Sequence, residues 1–111
     1  MRATPLLFTI DEPHSRDLDD AIGVERSAGG WKVGGAIAYP SLEVTIGSEV
    51  DLRARRLGST QYRGHAATEP MLPREISEAR STLTAGEQRA ALLIDLSIDA
   101  SGRVYDTAVS L

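Results

Sequence analysis

A chain of 111 residues has room for one small domain with a modest core, and not for two. With 41% hydrophobic and 25% charged residues its composition is that of an ordinary globular protein rather than a disordered tail. The absence of cysteine excludes disulfides, thiolate metal sites and cysteine nucleophiles, and a net charge of −4 lacks the basic excess usual in nucleic-acid binders.

At the N-terminus, Met1 to Phe8 carries one basic side chain and a short apolar run, then meets Asp11 and Glu12 without a small-residue cleavage site. That is not a signal-peptide pattern, and no apolar stretch is long enough to span a membrane. A cytoplasmic protein without membrane contact is expected. Leu6 to Ile10 reads as a short strand, and Asp11 to Asp20 as a polar loop supported by Pro13 and Ser15. Ala21 to Glu25 alternates, Ser27-Ala28-Gly29-Gly30 signals a turn, and Trp31 to Tyr39 reads as the returning strand of a hairpin. Gly34-Gly35 within that strand suggests a bulge or a close backbone approach.

Ser48 is the expected N-cap of a helix with apolar positions at Val50, Leu52, Ala54 and Leu57, stopped by Gly58. Arg53, Arg55 and Arg56 fall near its C-terminal end, where cations suit the helix dipole. Arg63 to Pro70 reads as a polar loop, and a second helix begins around Pro73 and fades by Leu83. Ala90 to Ile98 and Val104 to Leu111 pair as a hairpin across Asp99-Ala100-Ser101-Gly102. The order strands, helix, helix, strands lacks βαβ alternation, so the expected class is α+β, a mixed but mostly antiparallel sheet with two or three short helices.

Asp11, Asp17, Asp19 and Asp20 stand within ten residues. Like charges confined to one loop repel unless a cation or an arginine neutralises them. Hard oxygen donors favour Mg²⁺ or Mn²⁺ over zinc, and the matching chemistry is metal-assisted phosphodiester hydrolysis. Composition alone favours a solvated acidic surface. A calcium loop of the EF-hand type is excluded, because Pro13, Ser15 and Ile22 stand at its third, fifth and twelfth positions and Arg16 at its glycine position. Charge distribution is compatible with a metal-dependent nuclease: residues 1–30 carry six acids against three arginines, residues 51–90 seven arginines against five acids. Many acidic proteins share that asymmetry. His14 and His65 read as solvated loop histidines, and the three arginines of the helix read equally as phosphate contacts or as a solvated helix end.

Thr9-Ile10-Asp11, a five-residue spacer, then Asp17-Leu18-Asp19-Asp20-Ala21 closely resembles the signature of the ribonuclease II and ribonuclease R catalytic domain, the RNB domain. The resemblance continues through Gly30-Trp31-Lys32-Val33, Ala36-Ile37-Ala38, Gly47-Ser48, Asp51, Ala54, Arg56 and Thr60-Gln61-Tyr62. It extends over Pro70-Met71-Leu72-Pro73-Arg74-Glu75-Ile76-Ser77, Gly86-Glu87-Gln88-Arg89 and Ile98 to Val104. It implies that residues 1–111 are the N-terminal portion of a partial RNB-like catalytic domain. It further implies a Mg²⁺-dependent (or Mn²⁺-dependent) 3'-to-5' exoribonuclease that degrades single-stranded RNA to nucleoside 5'-monophosphates. By position, the four aspartates Asp11, Asp17, Asp19 and Asp20 would organise the metal, with Asp11 and Asp20 foremost as direct ligands and Asp19 the catalytic carboxylate. Asp17 would support the terminal nucleotide and the cluster, and Tyr62 would stack on a base near the 3' end.

Departures from the family pattern are Tyr39 in place of an aspartate, a different run from Arg63 to Glu69, and Arg80-Ser81 in place of an apolar residue and a cysteine. The family's domain also continues beyond what Leu111 matches and supplies there an arginine that stabilises charge on phosphate. The missing remainder of the catalytic domain is therefore an expected partner, alongside single-stranded RNA. The alternative is a non-catalytic RNA-binding or regulatory module that keeps the RNB fold. Tyr39 favours it, and the intact set of four aspartates opposes it.

Overall fold

The expected hairpin forms between β1 (Asp20–Ser27) and β2 (Gly30–Ala38), closed by a tight turn in which Gly29 takes a φ of 76°. This is a computed structural model, and it describes residues 6–64 and 66–111, with backbone alone at 66–68. A second hairpin joins β5 (Ala91–Asp99) to β6 (Val104–Ser110). Its turn is held by Asp99, whose Oδ1 accepts from the Ser101 N–H at 2.9 Å, the Ser101 hydroxyl at 2.6 Å and the Arg103 N–H at 3.0 Å. The two hairpins meet along β2 and β5, giving a sheet of order β1-β2-β5-β6 in which every pairing is antiparallel.

Between β2 and β5 the chain leaves the sheet. A 3₁₀ turn at Pro40–Glu43 leads to α1 (Glu49–Leu57), the expected helix. The Ser48 hydroxyl accepts from the Asp51 N–H at 3.3 Å, Asp51 Oδ2 accepts in return from the Gly47 N–H at 2.7 Å, and Gly58 ends the helix with a φ of 70°. The predicted second helix is shorter than its sequence pattern: Glu75–Arg80 forms one π-type turn, closed by the Ser81 N–H on the Ile76 carbonyl at 2.8 Å. An Arg80–Glu43 ion pair at 3.0 Å ties this turn to the 3₁₀ turn. The observed class is α+β, as expected, with three short helical segments among the described residues.

Three local expectations change. The loop predicted over 63–70 is instead largely a two-stranded ribbon, β3 (Gln61–Arg63) against β4 (Ala66–Glu69). Gln61, Tyr62 and Arg63 are all exposed, so no buried face imposed an alternation that sequence could reveal. The strand predicted at Leu6–Ile10 reduces to a single bridge, with Phe8 and Ile22 exchanging two backbone bonds of 2.9 Å. The Leu6 carbonyl and Leu7 side chain occupy the space a Cβ on Gly23 would need, so this segment lies close over β1. Gly34-Gly35 marks no bulge, since both pair in unbroken register with β1 and β5. Close backbone approaches fall at Gly23 and at Gly30, where a Cβ would strike the Ile98 carbonyl, whereas a Cβ on Gly35 would meet nothing nearer than 3.8 Å.

Register places Ile22, Gly35, Ile94 and Val109 in one cross-strand row and Val24, Val33, Leu96 and Thr107 in the next, on the same face. That apolar face is open. An exposed groove of about 280 Å³ runs over Ile22, Val33, Ile37, Ile94 and Leu96. The buried apolar side chains among the described residues are Ala36, Ala54 and Ile76, so the core is thin and built from small groups. No described helix is long and apolar enough to cross a membrane.

Candidate active site

The aspartates sit where the irregular loop enters β1. Asp20 is the first residue of the strand, and the carbonyl of Asp19 already accepts from the Ala38 N–H of β2 at 2.8 Å. Leu18, between Asp17 and Asp19, donates its N–H to Thr82 Oγ1 at 2.8 Å and accepts from the Leu83 N–H at 2.9 Å. Asp17 accepts a 3.0 Å hydrogen bond from the Tyr62 hydroxyl. Thus β3 brings Tyr62 to the loop across 45 residues of sequence.

Electrostatics bind the four carboxyls into one group. Asp19 is held above the ordinary carboxylate value of 3.8, first by burial and then by the charges of Asp17, Asp20 and Asp11, in that order. The Tyr62 phenol is raised above 10.0 by burial, then by its bond to Asp17 and the nearby charges of Asp17, Asp19 and Glu78. Asp11 lies further along the exposed loop and enters as the smallest of the three charges on Asp19.

A cavity of about 350 Å³ opens beside the cluster, with Asp17 and Asp19 on one wall and Ala38, Thr60, Leu72 and Ser77 among the rest. The Thr60 hydroxyl accepts from the Met71 N–H at 3.0 Å, closing that side. Thr60, Ser77 and the buried Ser81 and Thr82 were not singled out as site residues from sequence. The available signal was their position in or beside the Thr-x-Tyr and Pro-Met-Leu-Pro segments, since isolated hydroxyl residues carry no pattern of their own.

The donor set suits a hard divalent cation, all carboxylate oxygen. Among the described residues no three His, Cys, Asp or Glu side chains converge as a ready-made metal cage. Mg²⁺ commonly binds through one or two carboxylates, with water and substrate phosphate completing its shell, so the residues fit that ion. His14 Nε2 lies 2.9 Å from Glu12 Oε2, with both side chains exposed. His65 lies outside the described residues. Arg55 is engaged with Asp51 at 3.2 Å, and Arg53 donates to the Pro70 carbonyl at 3.2 Å and pairs with Glu69 at 3.8 Å. Tyr39 follows β2, its N–H on the Ala90 carbonyl at 3.2 Å.

Comparison with known proteins gives a consistent answer. The chain is 38% identical over 97 residues to Exoribonuclease 2 of Psychromonas ingrahamii, covering 87% of this chain and 15% of that protein. It is 37% identical over 102 residues to Ribonuclease R of Mycoplasma pneumoniae, covering 91% of this chain and 14% of that protein. Among solved structures, Mycoplasma genitalium RNase R in complex with ribose methylated single-stranded RNA superposes with a TM-score of 0.88 at 31% identity, over 95% of this chain and 16% of that one. The same enzyme with double-stranded RNA gives 0.89 at 31% identity, over 95% and 19%. This chain therefore spans about one sixth of the length of these relatives. The RNB domain model matches residues 2–111, the aspartate loop included, and the chain belongs to the RNB domain family.

Proposed function

We propose that this chain carries the aspartate centre of a Mg²⁺-dependent, cytoplasmic 3'-to-5' exoribonuclease that hydrolyses single-stranded RNA to nucleoside 5'-monophosphates. The observation that carries the reading is the placement of the aspartates: Asp17 and Asp19 line one cavity, and Asp19 is held above the ordinary carboxylate value by desolvation and by the charges of Asp17, Asp20 and Asp11, a cost that a divalent cation relieves. Relatives named Exoribonuclease 2 and Ribonuclease R support the reaction class. The RNA complexes of Mycoplasma genitalium RNase R support RNA as the ligand.

In this reading Asp11 and Asp20 hold the ion and Asp19 is the carboxylate on which the chemical step depends most. When bound, Mg²⁺ (or Mn²⁺) supplies Lewis acidity and charge neutralisation at the phosphodiester. Asp17, braced by Tyr62, orients the 3'-terminal nucleotide. The Tyr62 ring is 55% exposed and offers a face on which a base stacks, worth roughly 1–3 kcal/mol and tolerant of sequence. The arginine that stabilises charge on phosphate is assigned to the portion of the domain that relatives have and this chain does not span.

The test is degradation of 5'-labelled single-stranded RNA by the longest natural polypeptide containing this chain, with and without Mg²⁺. Metal-dependent shortening from the 3' end, abolished by Asp19→Asn, is the expected outcome. Equal degradation by both proteins would reject the role given to Asp19. Four clustered carboxylates give a purely RNA-binding module nothing, because they repel phosphate.

A further inference from the structure

The loop from Thr9 to Asp19 has no helix or strand to fix it, yet its function requires Asp17 and Asp19 to face one cavity. Regular structure resumes only at Asp20, so the bearing of the two side chains must come from bonds made by the loop itself. Leu18 supplies them: both of its backbone groups are engaged with the segment that follows the π-type turn, its N–H on Thr82 Oγ1 and its carbonyl under the Leu83 N–H.

We propose that Thr82 is a positioning residue of the aspartate centre, its hydroxyl pinning Leu18 so that the carboxyls on either side converge on the cavity. Thr82 is only 3% exposed, so water cannot replace its hydroxyl at the Leu18 N–H. Its own backbone is immobilised in turn. The Thr82 carbonyl accepts from Arg89 Nε at 3.0 Å and from the Thr84 N–H at 2.8 Å, while Arg89 Nη2 donates to the Ala79 carbonyl at 3.0 Å. Arg89 thereby clasps the chain on both sides of Ser81. With the Tyr62 hydroxyl on Asp17 and the Ala38 N–H on the Asp19 carbonyl, the three residues Asp17 to Asp19 are anchored from three separate elements.

Only the consequence for metal binding rests on the function proposed above; the hydrogen bonds do not. The experiment is a MnCl₂ titration of the ¹⁵N-labelled chain, reading paramagnetic broadening of the Asp17, Leu18 and Asp19 amides in wild type, Thr82→Val and Thr82→Ser. Amide hydrogen exchange is measured on the same samples. Thr82→Val is expected to raise the Mn²⁺ concentration for half-broadening roughly tenfold, in keeping with loss of one buried hydrogen bond. It should also speed exchange at Leu18 while β2 and β5 keep their protection. Thr82→Ser keeps the acceptor and should restore both. If folded Thr82→Val shows the wild-type Leu18 exchange and Mn²⁺ response, the proposal is overturned. Should Thr82→Val not fold, Thr82→Cys, a weaker acceptor, decides by the same two readouts. A wild-type chain silent to Mn²⁺ overturns the metal reading alone, because Leu18 exchange and the Asp17 and Asp19 amide shifts of the three proteins still decide the positioning role.

Discussion

The Tyr62 hydroxyl donates to Asp17 Oδ2 at 3.0 Å, joining β3 of the two-stranded ribbon to the loop that carries the aspartates. Beside the stacking role proposed for the ring, this bond orients one carboxyl of the cluster. Tyr62→Phe keeps the ring and removes the donor, so RNA stacking and carboxylate orientation become separable. On an exposed pair the bond is worth at most about 1 kcal/mol of stability. The raised phenol adds a pH dependence. A folded value above 10.0 means that the fold favours the neutral phenol, a contribution present below pH 10 and lost as pH rises through the higher folded value. Alkaline difference spectroscopy is expected to show the Tyr62 midpoint falling in Asp17→Asn without reaching the free value, because burial is the larger cause. An unchanged midpoint would dissolve the coupling.

Asp19 yields the opposite lesson, that a carboxyl of the cluster can cost stability. Its folded value lies above 3.8, so protonation is favoured in the fold: the favourable contribution is complete below pH 3.8 and disappears as pH rises through the folded value. At pH 7 the ionised carboxyl opposes folding. Asp19→Asn is expected to raise the melting temperature by a few degrees at pH 7, and the gain should vanish at pH 3. Millimolar Mg²⁺ should stabilise wild type more than the variant. A variant less stable than wild type at pH 7 would mean that Asp19 makes a structural bond outweighing the repulsion.

The parts of this fold that follow local rules were legible in the sequence. Ser48 and Gly58 bracket α1 because capping hydroxyls and left-handed glycines act within one turn of chain. The Asp99 turn and both long hairpins announce themselves by alternation and turn residues. The β3–β4 ribbon was not legible, since Gln61, Tyr62 and Arg63 are all exposed and show no alternation of buried and exposed positions. The four aspartates were visible as a cluster, but their spacing alone did not separate a metal centre from a solvated loop. The contacts that fix the loop are long-range, made by Tyr62 and Thr82 from 45 and 64 residues away. No window of sequence around Asp17 contains those partners.

Glycine in the central strand offers a direct check of the packing. Gly30 opens β2 opposite Asp99, and a Cβ there would collide with the Ile98 carbonyl and crowd the Asp99 Cα, both backbone atoms that cannot rotate away. Gly30→Ala must therefore push β2 from β5 at one end of the sheet, a loss of about 1–3 kcal/mol. Gly35 sits in the same strand but on the open apolar face, where a Cβ would find its nearest neighbour, the Ile94 carbonyl, at an ordinary 3.8 Å. Gly35→Ala is expected to stabilise the chain by about 0.5–1 kcal/mol through the reduced freedom of the unfolded state. Urea denaturation of the two variants tests this assignment. A lower midpoint for Gly30→Ala and an equal or higher one for Gly35→Ala support the register of β2 against β5, and the reverse order would require that register to be wrong.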